Sequence, residues 1–486
     1  MTRIYLLNPP FIPHFGRSAR WQDTGRGGTL YYPIWLAYAA GFLEKEGHKV
    51  KLIDAPARGY SLPYVIQDIM RFCPDVVVVD TSFTSLENDL KVAREIKSHV
   101  PDAFVIGVGP PTSQFSQYMI NNGFDAVARY EYDWTLAELA SNIEEGRDLT
   151  NVLGISYKVK GKILHNPKRP FSTNEQLDQL PFVSQVYARH LNIYDYFLSS
   201  SLYPEVQIFA SRGCPYQCIF CCWPQTFMGR INRRRSVMNV IEELLWIKEK
   251  LKQVKEVVFE DDTFGIDRKW LKEFLRRLLE ENLDVTWNCQ VRADLDFKIL
   301  NLMAKAGCRL VIVGFESANQ QILNNIKKGI KVEQMRKFAE DVRKAGILLH
   351  ADFIIGLPGE RRETIRQTIK FIKEIRPDIL QVSVATPFPG TEFYQWLKEN
   401  GYLDTDDPSE YLDEYGHQKC VVSYPWLSSE EITKYVDEIL KGYYLSASYV
   451  PIVFRQILRK NGIDELKRLL SSAKVFINYI YKRNKF

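Results

Sequence analysis

The strongest constraint on the fold is a strand-helix alternation that recurs along most of the chain. From residue 3 to about 145, short apolar runs (RIYLL, KVKLIDA, DVVVVD, AFVIGVG, DAVAR) alternate with amphipathic stretches, among them helices from Pro33, near 62–72, from Leu86 and after Pro111. Five strands with intervening helices mean a parallel sheet covered on both faces. From Glu205 the alternation resumes six times, with strands at EVQIFAS, EVVFE, DVTWNCQ, RLVIVGF, LLHADFII and ILQVSVA. Six successive βα units predict a barrel or partial barrel whose active face lies at the C-terminal ends of its strands.

The expected fold is therefore α/β in four parts. A doubly wound, Rossmann-like (flavodoxin-like) domain spans 1–145. A hairpin turned at Lys160 and Gly161, with a linker, spans 146–200. A partial (βα)6 barrel spans 201–400, and a helical, basic region spans 401–486. Open sheets of the first kind bind ligands at the carboxyl ends of their strands, near the point where the strand order reverses. The loops that matter there are 8–10, 81–85, 107–112 and 129–131.

Composition narrows the class. Hydrophobic residues make up 45% of the 486 and charged residues 25%, which excludes wholesale disorder and a small disulfide scaffold. A net charge of +5 is too small for a chain that coats polyphosphate over its whole surface. The charge-free stretch 27–43 is shorter than the roughly 20 residues of a bilayer span and contains Pro33, so it reads as a buried helix that stops at Gly47. The N-terminus, MTRIYLLNPP, shows no signal-peptide core, and a cytoplasmic protein is expected.

Basic character concentrates at 441–486, where ten Lys or Arg face only Asp464 and Glu465, a local excess of +8. Seven aromatics are interleaved, Tyr443, Tyr444, Tyr449, Phe454, Phe476, Tyr479 and Tyr481. Such a tail can cover a substrate, lie peripherally on an anionic membrane, contact nucleic acid or form a solvated cap over the barrel.

Of eight cysteines, Cys214, Cys218, Cys221 and Cys222 fall within nine residues, and Cys73, Cys289, Cys308 and Cys420 are scattered. That is no secreted disulfide framework. SRGCPYQCIFCC follows the first barrel strand directly, which puts Cys214, Cys218 and Cys221 on one loop at the active face. Three thiolates there can hold three irons of a [4Fe-4S] cluster and leave the fourth open. Structural zinc is the alternative, but it wants four ligands, and only the adjacent Cys222 is near.

On these residues the sequence resembles the radical S-adenosylmethionine (SAM) superfamily, with Phe220 as the aromatic before the last cysteine. The resemblance implies that SAM chelates the open iron and is cleaved by one electron, from a low-potential donor such as flavodoxin or ferredoxin, to a 5'-deoxyadenosyl radical. Where the family often carries a Gly-Gly-Glu element holding the SAM amine, this chain has Glu260, Asp261 and Asp262, any of which can serve; the three also read as caps of a helix from Arg268. Arg292 resembles the SAM-carboxylate partner and Glu316 the ribose-contacting acid. Ile354, Gly356 and Leu357 in IIGLPGE resemble the adenine-packing strand.

The first domain resembles a cobalamin-binding domain, and the domain order is that of the cobalamin-dependent radical SAM class, over about the first 400 residues. Asn8, Pro9 and Pro10, then Thr81, Ser82 and Thr84, then Gly107, Gly109, Pro110 and Thr112, and finally Glu131, occupy the strand-end loops expected to hold the cofactor. The Asp-x-His-x-x-Gly element that ligates cobalt elsewhere is absent, and His14, His48 and His99 do not replace it, which implies cobalamin bound without a protein imidazole. A first domain that has lost cobalamin stays open.

The resemblance implies methylation of an unactivated carbon of a small-molecule or lipid substrate, one SAM supplying the methyl group through cobalamin and a second the radical. Radical cyclisation, ring contraction or oxidative remodelling of a lipid or tetrapyrrole is the nearest alternative. A non-catalytic, metal-stabilised nucleic-acid module is a remote one, and nucleic acid is not the expected partner.

Overall fold

The computed structural model describes residues 1–17, 20 and 22–483; Asn484, Lys485 and Phe486, the end of the basic tail, lie outside the described residues. In the first sheet, β1 (Arg3–Asn8), β2 (Lys49–Asp54), β3 (Val76–Asp80), β4 (Phe104–Val108) and β5 (Ala126–Ala128) pair in parallel in the order β2-β1-β3-β4-β5. This is the flavodoxin-like doubly wound order, which reverses between β1 and β3. VVVVD of β3 is buried along its whole length, as a central parallel strand with helices on both faces must be. The charge-free run supplies a helix, Ile34–Lys45, buried from Ile34 to Leu43 because the second domain covers the face that the sheet does not.

Two expectations change. The hairpin of β6 (Ile155–Val159) and β7 (Lys162–His165), turned at Lys160 and Gly161 with φ of +49° and +78°, is no part of a free linker. It pairs antiparallel with β5 and extends the first sheet to seven strands, covering an edge that a three-residue strand would otherwise leave open. The segment after 400 is not helical at first. Over 401–428 the chain makes one 3-10 turn, Pro408–Tyr411, and isolated bridges such as Leu403 with Val422, since Pro408, Gly416 and Pro425 interrupt any helical run. Helices then follow at Ser429–Tyr444, Val450–Ile457 and Gly462–Arg483.

The second sheet opens with β8 (Glu205–Ile208). A two-residue antiparallel ribbon of β9 (Ser211–Arg212) and β10 (Arg233–Arg234) follows. Then come β11 (Glu256–Phe259), β12 (Trp287–Val291), β13 (Cys308–Glu316), β14 (Leu348–Ile355) and β15 (Ile379–Val384), which with β8 form six parallel strands in sequence order, the predicted partial barrel.

One apolar core runs from Leu6, Leu36 and Val78 of the first domain through Ile208, Phe259 and Trp287 of the barrel. Two buried ion pairs cross the same boundary, Arg212 with Asp133 at 2.6 Å and Arg233 with Glu131 at 2.7 Å. The carboxyl ends of the two sheets are thereby held against each other.

Candidate active site

The cysteine loop is built to a fixed shape. Asp261, after β11, accepts from Ala210 N at 2.8 Å and from Ser211 Oγ at 2.5 Å, which locks the chain just beyond β8. Gly213, at φ +83°, then turns so tightly that a Cβ would stand 2.2 Å from Ile231 O, and the β9-β10 ribbon closes the loop. Burial pushes the Cys221 thiol well above its ordinary range, and Asp262, Cys214 and Cys218 push it further. Burial and Asp262 raise Cys214 in the same way, and its Sγ lies 3.8 Å from Thr263 Oγ1. Three thiols beside a buried carboxylate are the donor set that a cluster's irons take up. Cys222 has its own partners, its Sγ 3.2 Å from Thr226 Oγ1 and its side chain packed with Phe83, Phe388, Tyr411 and Val421.

The three acids after β11 separate by role. Asp261 is the tie just described. Glu260 accepts from Arg20 Nη1 at 2.7 Å and Gln290 Nε2 at 3.1 Å. Asp262 is buried beside the cysteines, and among the described residues its Oδ2 has no hydrogen-bond partner. The helix Arg268–Glu280 is capped by Asp267, which accepts from Lys269 N and Trp270 N, so the expected capping role of the acids falls to another residue. Of the three, Asp262, whose Oδ1 lies 3.4 Å from Arg20 Nη2, is the one that keeps an oxygen open to a cation such as the SAM amine.

Arg292 leans over the cysteine loop, its guanidinium carbon 3.6 Å from the Tyr216 ring centroid and its Nη2 donating to Lys328 O at 2.8 Å. Glu316 sits at φ +63°, on a register shift between β13 and β14, a conformation that costs a non-glycine residue about 1–3 kcal/mol. It accepts from Lys328 Nζ at 2.7 Å. Burial alone would lower the Lys328 ammonium; Glu316 and then Cys218 hold it above its ordinary range. Phe220, Ile354 and Leu357 line one small cavity with Cys221, Ala385 and Thr386, and Gly356 takes φ +100° at its turn. An unpaired carboxylate oxygen, a guanidinium, a buried acid and an apolar slot around three thiols fit SAM bound on a cluster.

The strand-end loops of the first domain are tightly self-bonded. Asn8 Nδ2 donates to Asp54 Oδ1 at 2.9 Å, and Asn8 Oδ1 and Pro9 O accept from the buried Arg17. Pro10 O accepts from Asn88 Nδ2. Thr81 Oγ1 donates to Val108 O, Ser82 Oγ lies within hydrogen-bond distance of Ser85 Oγ, at 2.6 Å, and Thr84 Oγ1 donates to Gln22 O. Gly107 and Pro110 are buried; Thr112 Oγ1 donates to Gly109 O. Gly109 itself, at φ +109°, has no room for a Cβ, which would meet Thr81 O at 2.3 Å. Glu131 differs from expectation, since both its oxygens accept from Arg233 and one also takes Ser172 N, which makes it a tie to the barrel.

Beside these loops, Trp35, Tyr132, Trp223 and Phe227 form one aromatic cluster between the first domain and the helix Cys222–Thr226. Among the described residues, Trp35 Nε1, Tyr132 Oη and Trp223 Nε1 are buried without hydrogen-bond partners. Buried donors call for acceptors. A corrin ring, rimmed with amide carbonyls, provides them, so the residues present fit cobalamin. His48 and His99 precede β2 and β4 at the opposite end of the sheet, and His14 borders an outer groove with Tyr194 and Glu414.

Sequence reasoning missed Arg20, Tyr216, Lys328 and the polar cavity around Arg26. The glycine-rich, arginine-rich run FGRSARWQDTGRGG after β1 carried a signal for the first and last of these.

Comparison with known proteins agrees with this geometry. The B12 binding domain model matches residues 24–140 and the radical SAM superfamily model residues 208–372. An uncharacterized methyltransferase of Pyrococcus horikoshii is 32% identical over 90% of this chain and 92% of its own. The chain belongs to the cobalamin-dependent radical SAM family. Within the family, the anaerobic magnesium-protoporphyrin IX monomethyl ester cyclase of Rubrivivax gelatinosus is 28% identical over 85% of this chain and 79% of its own. The radical SAM methyltransferase TsrM of Kitasatospora setae, solved with cobalamin and a [4Fe-4S] cluster, shares the fold with a TM-score of 0.71, 18% identity and coverage of 98% and 99% of the two chains.

Proposed function

We propose that the protein is a cobalamin-dependent radical SAM methyltransferase that methylates an unactivated carbon. The observation that carries the reading is the junction of the two sites. The helix Cys222–Thr226 starts directly after Cys221 and packs on the turn Pro110–Ser113 of the first domain, where Ser113 Oγ donates to Thr226 O at 2.9 Å. When bound, the cluster with SAM supplies a hydrogen-abstracting radical and cobalamin supplies methyl transfer, and a low-potential protein such as a flavodoxin or ferredoxin is the proposed electron donor.

The chain's own residues hold and shield these groups. Cys214, Cys218 and Cys221 would take three irons, Asp262 the SAM amine, Arg292 its carboxylate, Glu316 its ribose, and Phe220, Ile354 and Leu357 its adenine. The loops around Asn8, Thr81 and Gly109, with the donors of Trp35, Tyr132 and Trp223, would hold the corrin. The shared apolar core excludes water from the boundary between them.

A third chamber receives the substrate in this reading. Arg20, Asp23, Arg26 and Tyr31 from the segment after β1 face Gln290, His350, Asp352 and Gln381 on the barrel strands. Among the described residues Arg26 Nη2 donates no hydrogen bond, and burial pushes the Asp23 carboxyl up to about 7. The substrate therefore brings polar groups to the barrel interior.

The second reading, radical cyclisation, has the 28% identity to the Rubrivivax cyclase in its favour. Anaerobic reconstitution with iron, sulfide, cobalamin, SAM and dithionite, followed by mass spectrometry, decides. Methylation adds one methylene to the product mass and forms S-adenosylhomocysteine beside deoxyadenosine. Loss of hydrogen without S-adenosylhomocysteine would sink the methyltransferase reading.

A further inference from the structure

The last helix, Gly462–Arg483, turns a face with charged and polar groups toward the barrel and leaves an apolar face exposed. Its inner face is fastened to the barrel. Glu465 accepts from Arg309 Nη1 at 2.7 Å and from Arg468 Nε at 2.9 Å, Arg468 donates to Ser199 O, and Tyr479 Oη accepts from Arg26 Nε at 3.1 Å. The outer face carries Ile463, Leu466, Leu470, Ile477 and Tyr481, exposed by 74, 44, 62, 57 and 63%. At about 100° per residue these five, with the exposed Ala473, fall within an arc of roughly 80°, opposite Glu465, Arg468 and Tyr479. Ordinary amphipathicity puts polar residues there.

The preceding helix repeats the pattern, with Val450, Phe454 and Leu458 at i, i+4 and i+8 exposed by 52, 55 and 81%. Large apolar groups gathered in this way mark a contact surface. Their charged neighbours choose the partner. Lys467 and Lys474 lie at one border of the outer arc, and Lys460, 3.6 Å from Asp284, stands at the turn between the helices with its side chain 83% exposed. A two-fold contact between copies would bring these lysines together, whereas an anionic bilayer neutralises them and takes up the leucines and isoleucines. Among the described residues no helix is long and apolar enough to cross a membrane, so the segment would lie along the surface.

We infer that the helices Val450–Ile457 and Gly462–Arg483 dock the enzyme on an anionic lipid surface through this outer face. The contact is independent of the radical chemistry, because none of the outer residues lines the cysteine site or the polar chamber.

Flotation of the full-length, cluster-loaded protein with vesicles of 70% phosphatidylcholine and 30% phosphatidylglycerol tests it, against pure phosphatidylcholine, at low and high salt. The expected result is at least tenfold stronger partition to the anionic vesicles, falling as salt rises. The triple variant Leu466→Glu/Leu470→Glu/Ile477→Glu should lose that partition at least tenfold while keeping the thermal midpoint and slow, substrate-free SAM cleavage. Should the triple variant misfold, Lys460→Gln/Lys467→Gln/Lys474→Gln supplies the second test, with a severalfold loss on anionic vesicles expected. Wild-type protein that ignores anionic vesicles overturns the inference. So does a dimer by light scattering that the triple variant dissolves, since the face is then a self-interface.

Discussion

Arg233 Nη1 stands 2.7 Å from both carboxylate oxygens of Glu131, joining the loop after β5 to the ribbon that closes the cysteine loop. Both side chains are buried, at 6 and 5% exposure. Removing one partner of a buried pair leaves the other charge without compensation, which costs about 3–5 kcal/mol. Glu131→Ala should therefore destabilise by that order in denaturant unfolding, and Glu131→Ala/Arg233→Met by less than Glu131→Ala alone. A single variant within about 0.5 kcal/mol of wild type would show that the pair does not hold the boundary.

The four clustered cysteines should divide three to one. Cys214→Ala, Cys218→Ala and Cys221→Ala should each fall well below the wild-type iron and sulfide content after reconstitution and lose deoxyadenosine formation. Cys222→Ala should keep both, with a loss of about 1 kcal/mol from its apolar packing beside Phe83 and Phe388. Retained SAM cleavage in any of the first three removes that thiol from the ligand set.

The architecture was legible because its signals are local. All six barrel strands and the first five strands could be read from apolar runs separated by helical stretches, and the cysteine spacing stands out in any reading. Tertiary choices were not local. Nothing in the sequence tells that Glu131 turns toward Arg233, 102 residues on, or that Asp261 ties β8 to β11 while Asp262 keeps an open oxygen. The hairpin at Lys160 was visible as a hairpin, but its pairing with β5 depends on an edge that only the assembled sheet creates.

Glu360 gives a pH signature in the loop that shapes the Ile354–Leu357 slot. Its carboxyl is fully buried, accepts from Gly356 N at 3.4 Å and from Thr364 Oγ1, and is pushed by burial to about 7. A carboxyl near 4.3 when unfolded and near 7 when folded binds its proton only in the folded state between those values. Its contribution is then greatest below pH 4 and falls as pH rises through 7. Glu360→Gln, which cannot ionise, should gain stability relative to wild type on going from pH 5 to pH 8, on the order of 2–3 kcal/mol. Urea titrations of both proteins at the two pH values measure it, and a difference that does not change with pH refutes it.

Asp262 and Glu260 make opposite claims on the SAM amine, and their surroundings separate them. Glu260 already meets Arg20 at 2.7 Å and Gln290 at 3.1 Å, so its charge is compensated within the protein. Asp262 lies 3.4 Å from Arg20 through Oδ1 alone, and among the described residues Oδ2, buried next to the cysteines, has no hydrogen-bond partner. A buried carboxylate oxygen without a partner is costly unless a ligand completes it, and an ammonium group does so with a charge-assisted hydrogen bond of about 1.5–3 kcal/mol. Asp262→Asn should therefore weaken SAM binding by roughly tenfold or more in equilibrium titration of the clustered protein, while iron and sulfide content stay at wild-type level. Glu260→Gln should weaken it severalfold less, acting only through a loosened Arg20. If Glu260→Gln proves the more damaging of the two for SAM affinity with the cluster intact, the amine belongs to Glu260 and the open oxygen of Asp262 faces something else.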